Sequence, residues 1–353
     1  MPGFETALKR VEAWYACEII DRPLVRFYRK DSYFDRIDNE IAKRDISTRR
    51  SWIFDPEAQV EFFEQSLAGI TFLGESFPTF TAYLGPQAYA AFYGSELDYN
   101  GSGSWAKPII ESFDDLETIQ LDRDNEYFQA LEKMTKLALE RGRGKFLTGQ
   151  PPLSPGLDCM AAWRGVKQLC VDMAKNPQEV GRMGQLSISD FAEIFDHFDS
   201  IIRQSQGLSV NWMGLPTTSR VHIPTYEFAA LISPEMFIQF GLPLIREEVQ
   251  GIAHNIFLVD GKEIKKHLDA VLSMPEIDAL QWVQGMGNDA PIMQWIPFLK
   301  KMQRIRMPVV VSLEVEELDR FIETMDPQGL FLWIDSQDEQ EELNILRKLK
   351  RWK

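Results

Sequence analysis

Cysteine is scarce in this chain: three in 353 residues, at Cys17, Cys159 and Cys170. An odd, widely spaced set argues against a disulfide framework and fits a reducing compartment, so a cytoplasmic location is expected. Each cysteine reads as a small buried hydrophobe. Histidine is limited to His197, His222, His254 and His267, and no HxH, HExxH or CxxC occurs. No ready-made zinc motif is therefore present. Positive charge is in deficit: 38 Lys and Arg stand against 53 Asp and Glu, for a net charge of −15. Such a surface repels phosphate backbones and anionic membranes, so neither nucleic acid nor membrane is expected as a partner. The opening MPGFETALKRVEAWYACEII has early acids and no uninterrupted apolar stretch, unlike a signal peptide or a span. GxGxxG after a first strand, GxxxxGK[ST] and the nucleophile elbow are all missing, which removes the usual nucleotide sites and hydrolase triads.

What the chain does have is clearest in Asn255–Asn288. Ile256–Val259 is an apolar run that stops at Asp260-Gly261. Lys262–Ser273 carries apolar residues at Ile264, Leu268, Val271 and Leu272, which is helical spacing. Pro275 ends that helix, and Ala279–Val283 is a second apolar run that stops at Gln284-Gly285. Two strands joined by one helix run parallel. Ligand sites in such folds lie beyond the C-terminal ends of the strands.

The same alternation continues along the chain. Strands are expected at Gly69–Leu73, Lys145–Thr148, Leu208–Trp212, Pro308–Leu313 and Gly329–Ile334. Helices are expected at Asn125–Glu140, Leu157–Lys175, Pro177–Gln206, Pro234–Gly251, Ile292–Arg304, Glu314–Met325 and Glu339–Lys350. The reading is a single α/β domain over residues 1–353, a (β/α)8 TIM barrel with an N-terminal helical extension over 1–55. A doubly wound open sheet is the second choice. Gly74–Pro108, rich in Gly, Ser and aromatics, reads as a functional loop and as the contact of a homodimer.

Candidate site residues follow from strand ends. Asp260, Gln281, Trp282 and Glu314 lie at or just beyond them, and Trp212 follows another. Asp158, Tyr226 and Glu227 fall in the following loops, and His222 is the histidine placed near them. Carboxylates with aromatic walls suit a small-molecule site. The competing reading for Asp158 and Glu314 is capping of a helix N-terminus. The basic run Arg22, Arg26, Arg29 and Lys30 could hold substrate carboxylates or form a solvated strand face.

Several pieces resemble the uroporphyrinogen decarboxylase-like superfamily, most closely its branch of methyltransferase-like proteins associated with corrinoid metabolism. They are GESFPTFTAYLGPQAYAAFYG (Gly74–Gly94), KFLTGQPPLSPGLDCMAAWRG (Lys145–Gly165), SVNWMG (Ser209–Gly214), YEFAALISPEMF (Tyr226–Phe237), FLVDGKEIKKHLDAVLSMPEIDALQWVQGMG (Phe257–Gly287) and the closing VSLEVEEL (Val311–Leu318) and DPQGLFL (Asp326–Leu332). The resemblance implies a barrel with a cleft at its C-terminal face. It also implies methyl transfer from a small methylated substrate to a corrinoid protein or a thiol. Departures qualify that implication. RFYRKDSYF stands where decarboxylases carry a motif like MRQAGRY, which argues against porphyrinogen decarboxylation. Tyr226-Glu227 stands where relatives often have Cys-Asp, and Leu258-Val259-Asp260 where they have His-x-Asp. A divalent metal, if held, would be left with Glu227, Asp260 and Glu314, a set harder than zinc favours.

The expectation is therefore an enzyme. Asp260, Glu227 and Tyr226 would be catalytic. Trp105, Asp158, Trp212, His222, Gln281, Trp282 and Glu314 would contact substrate. A carboxy-lyase, or a barrel kept as a ligand-binding subunit, remains the alternative.

Overall fold

The computed structural model describes residues 3–29, 43–99 and 104–352. Its strands in chain order are β1 (Leu24–Arg29), β2 (Thr79–Thr81), β3 (Leu97–Asp98), β4 (Trp105–Ala106), β5 (Leu147–Gly149) and β6 (Ser209–Val210). They continue as β7 (Pro216–Thr217), β8 (Val221–His222), β9 (His254–Asp260), β10 (Ala279–Val283), β11 (Val309–Glu314) and β12 (Leu330–Ser336). Six form one parallel sheet in the order β1-β12-β11-β10-β9-β8. Helices fill the connections, as parallel pairing requires.

Side-chain alternation sorts this sheet into two faces. Leu24, Ile256, Ala279, Val310 and Phe331 share an inner apolar cluster. Their chain neighbours Val25, Phe257, Leu280, Val309 and Leu332 turn outward into the larger core under the helices. Register extends the inner face toward the strand C-termini: Arg26 lies beside Trp333, Tyr28 beside Asp335, and Leu258 beside Gln281.

The eight-stranded closed ladder expected from the sequence is not formed among the described residues. The sheet is a curled half-barrel. The strands that would complete it are two or three residues long, and β2 pairs only with β5. Single hydrogen bonds replace ladders at the seams. Phe27 N donates to Ser76 Oγ (2.8 Å), Gln150 N to Val210 O (2.8 Å) and Val221 N to Ser209 Oγ (3.4 Å). The strand expected at Gly69–Leu73 is absent, and Gly74 makes one isolated bridge to Arg26 instead.

The segment read as an N-terminal extension supplies both β1 and the helix Phe4–Tyr15. That helix places Val11 and Trp14 in the inner cluster, against Leu24 and Phe331, and so closes the lower end of the half-barrel. The Trp14 indole N–H donates to Gly329 O at 3.1 Å, satisfying the polar atom that burial would otherwise strand. Of the basic run, Arg22 is structural. Its guanidinium holds the buried Glu75 carboxylate at 2.8 and 2.9 Å, with Arg10 at 3.2 Å. Lys30 lies outside the described residues, as does the rest of RFYRKDSYF beyond Arg29.

Several expected helices are broken for local reasons. Gly165, at φ 84°, separates Gly156–Arg164 from Val166–Lys175. Pro243 lies early in Leu242–Glu248 and cannot donate a backbone hydrogen bond. The stretch before it, Phe237–Gly241, winds as a π-turn. No helix among the described residues is long and apolar enough to cross a membrane.

Candidate active site

A cavity of about 410 Å³ opens at the C-terminal end of the inner face. The strands bring Arg26 and Tyr28 from β1, Leu258 from β9 and Trp333 from β12. The loops after β2 and β5 add Tyr83 and Leu153. Those after β6 and β8 add Trp212 and Met213, then Thr225 and Glu227. The volume suits a small molecule, and most of the wall is aromatic or aliphatic.

Arg26 is fixed in place. Its guanidinium carbon lies 5.0 Å from the Tyr28 ring centre and 5.4 Å from that of Trp333, within cation–π range. Nη1 donates to the carbonyl oxygen of Met213. The next residue must be glycine. Gly214 sits at φ 76°, and a Cβ there would meet Thr79 Oγ1 at 2.9 Å and Arg26 Nη1 at 3.4 Å.

Glu227 opens a one-turn helix, Glu227–Leu231, on the loop after β8. Asp158, in the first turn of Gly156–Arg164, accepts the N–H of Glu227 at 3.0 Å and that of Phe228 at 2.7 Å. The Glu227 carboxyl is pushed up by desolvation and then by the like charge of Asp260. The Asp260 carboxyl is itself raised by burial. Both residues are solvent-exposed. Gly261 at φ 81° turns the chain away just after Asp260, and its N–H donates to Val283 O at 2.9 Å.

Of the expected set, Glu227 and Trp212 line the cavity, and Asp260 lies near Glu227 without lining it. It draws the others elsewhere. Trp282 alternates to the outer face of β10, where its ring packs on Trp295 (4.8 Å) and Phe298 (4.6 Å). His222 also faces outward. Its Nε2 lies 2.7 Å from Glu248 Oε1, between Phe191 and Phe195. Tyr226 is 1% exposed and stacks on Phe257 behind the sheet, and Gly156 leaves room for its hydroxyl. Burial and nearby Glu248 push that hydroxyl well above its ordinary value, and the residue does not line the cavity. Asp158 is a turn anchor, raised to about 7 chiefly by burial. Glu314 caps the turn Val315–Glu317 in a reciprocal pair with Glu317. Trp105 is 67% exposed on the β3–β4 hairpin and does not line the cavity. Gln281 is buried on the inner face beside Leu258, and its Oε1 has no hydrogen-bond partner among the described residues.

The three-carboxylate metal set does not fit this arrangement. Glu314 is committed to its cap, and no three of His, Cys, Asp and Glu cluster to hold an ion among the described residues. Sequence reasoning missed Tyr28, Tyr83 and Trp333 as walls and left Arg26 undecided. The available signal was period-two alternation in LVRFYR, which puts Arg26 and Tyr28 on the face of Leu24.

No family model matches the chain, and no curated protein does so significantly. Among solved structures 22 chains match. One is a methyltransferase from Methanosarcina mazei, aligned over 98% of each chain with a TM-score of 0.58 and 11% identity. At that identity the likeness establishes the shared fold.

Proposed function

We propose that the protein is an enzyme of the methyltransferase kind, acting on a small methylated substrate held in the cavity. One observation carries this reading: Glu227 lines a small aromatic cavity at the strand C-terminal ends, with the like charge of Asp260 close enough to act on it. The fold shared with the Methanosarcina methyltransferase supports it. In methyl transfer the carbon leaves without its bonding electrons, and the pair stays on the donor atom. That atom then needs a proton or must lose a positive charge. Two crowded carboxyls can serve either need, because one holds a proton more readily than an isolated acid does. A corrinoid partner or a thiol would accept the methyl group.

The test is methyl transfer to free cob(I)alamin, followed by its absorption change, across methylated amines, methyl ethers and thioethers. Turnover is expected to fall about a hundredfold or more in Glu227→Gln and Asp260→Asn. Full activity in both variants would overturn the assignment. Arg26 favours a second reading, a carboxy-lyase, because an inward guanidinium suits a substrate carboxylate. Release of carbon dioxide from the same panel, without methyl transfer, would select it.

A further inference from the structure

Charges of opposite sign, Glu227 and Arg26, line the same cavity. Glu227 is the carboxylate in the wall, and Asp260 at the end of β9 is close enough to add like charge to it. No lysine or arginine forms an ion pair with either among the described residues. A cation placed against them would relieve both the desolvation and the repulsion. The wall's cation is Arg26. A guanidinium has five N–H donors, and Met213 O takes one. No carboxylate among the described residues pairs with the remainder. The same wall carries the rings of Tyr83 and Trp212, with Leu258 and with Trp333, whose ring faces the Arg26 guanidinium. Aromatic faces attract alkylated ammonium groups and leave little polar surface for a bare, hydrated ammonium.

We propose that the cavity binds a small zwitterion, with an N-methylated ammonium against Glu227, Asp260 and the aromatic rings, joined by a short chain to a carboxylate that meets Arg26. This rests on the reading of the cavity as a substrate site. It narrows the methylated substrate to an N-methylated amino acid. A lone carboxylate would leave the acid pair unrelieved. A lone ammonium would leave Arg26 unmatched and face its repulsion. A neutral ether would use neither charge.

The experiment is calorimetric titration of the full chain with trimethylammonio-acetate, -propanoate and -butanoate. Each is compared with the carboxylate isostere in which carbon replaces nitrogen, and with tetramethylammonium. One chain length is expected to bind at least about tenfold more tightly than its isostere and than tetramethylammonium. Arg26→Gln should cost that zwitterion about tenfold and leave tetramethylammonium unweakened. Glu227→Gln, at a solvent-reaching position, should weaken both. Equal binding of the isostere overturns the proposal, as does no binding by any zwitterion at millimolar concentration. Should Arg26→Gln fail to fold, the isostere comparison on the unaltered protein decides alone. Binding without methyl transfer to cob(I)alamin leaves this site standing and removes the methyltransferase reading. Methyl transfer from another donor, with no zwitterion bound, does the reverse.

Discussion

Asp158 holds Glu227 by its backbone. The two are 69 residues apart in the chain, yet the Asp158 carboxylate accepts the Glu227 N–H at 3.0 Å and the next N–H at 2.7 Å. The acid at the cavity mouth is thus positioned by a second acid that does not line the cavity. Asp158→Asn keeps the shape but turns one acceptor into a donor facing an N–H. A stability loss of about 1–3 kcal/mol in urea denaturation is expected at neutral pH.

The same residue makes a prediction about pH. Burial, with the like charges of Glu227 and Glu248, raises the Asp158 carboxyl from 3.8 to about 7 in the folded chain. Between those values the folded state binds more protons than the unfolded state, so this group's contribution to stability falls as pH rises. The fall is complete above about 7. Urea midpoints at pH 5 and pH 8 should therefore converge in Asp158→Asn relative to the unaltered protein. An unchanged pH dependence in the variant would remove this account.

Trp282 and Trp333 look alike in sequence context and should behave oppositely. Trp282 packs on Trp295 and Phe298 behind the sheet, so Trp282→Ala should cost about 3–5 kcal/mol of stability. Trp333 lines the cavity, so Trp333→Leu should weaken ligand binding with a smaller effect on the urea midpoint. Calorimetric titration and denaturation of both variants check the contrast.

Glu314 is expected to matter only to its turn. Its carboxylate accepts the Glu317 N–H while the Glu317 carboxylate accepts its own, at an exposed helix start. Glu314→Ala should cost about 0.5–1 kcal/mol in a thermal or urea melt and leave turnover unchanged. A large loss of turnover with an intact melt would return Glu314 to the site.

The parallel α/β architecture was legible because β9 and β10 are apolar runs separated by helical spacing, and alternation in such runs reports which residues share a face. Asp260 was legible as a strand-end acid before Gly261. Trp282 and His222 misled for one reason. Being near a strand end says how high a residue sits but not which face it takes, and an error of one position sends a side chain to the opposite side. Closure of the barrel was overestimated because two-residue strands such as β6 and β8 carry little periodicity. Their hydrogen bonds come from single contacts such as Ser209 Oγ to Val221 N. Asp158 could not be separated from a site residue, since its partners are backbone N–H groups 69 residues further along.

Trp14 and Val11 stopper the lower end of the half-barrel. The cavity walls Trp212, Leu258 and Trp333 pack on that same inner cluster. Whatever enters the cavity therefore rests on a dry apolar floor that the N-terminal helix helps to build.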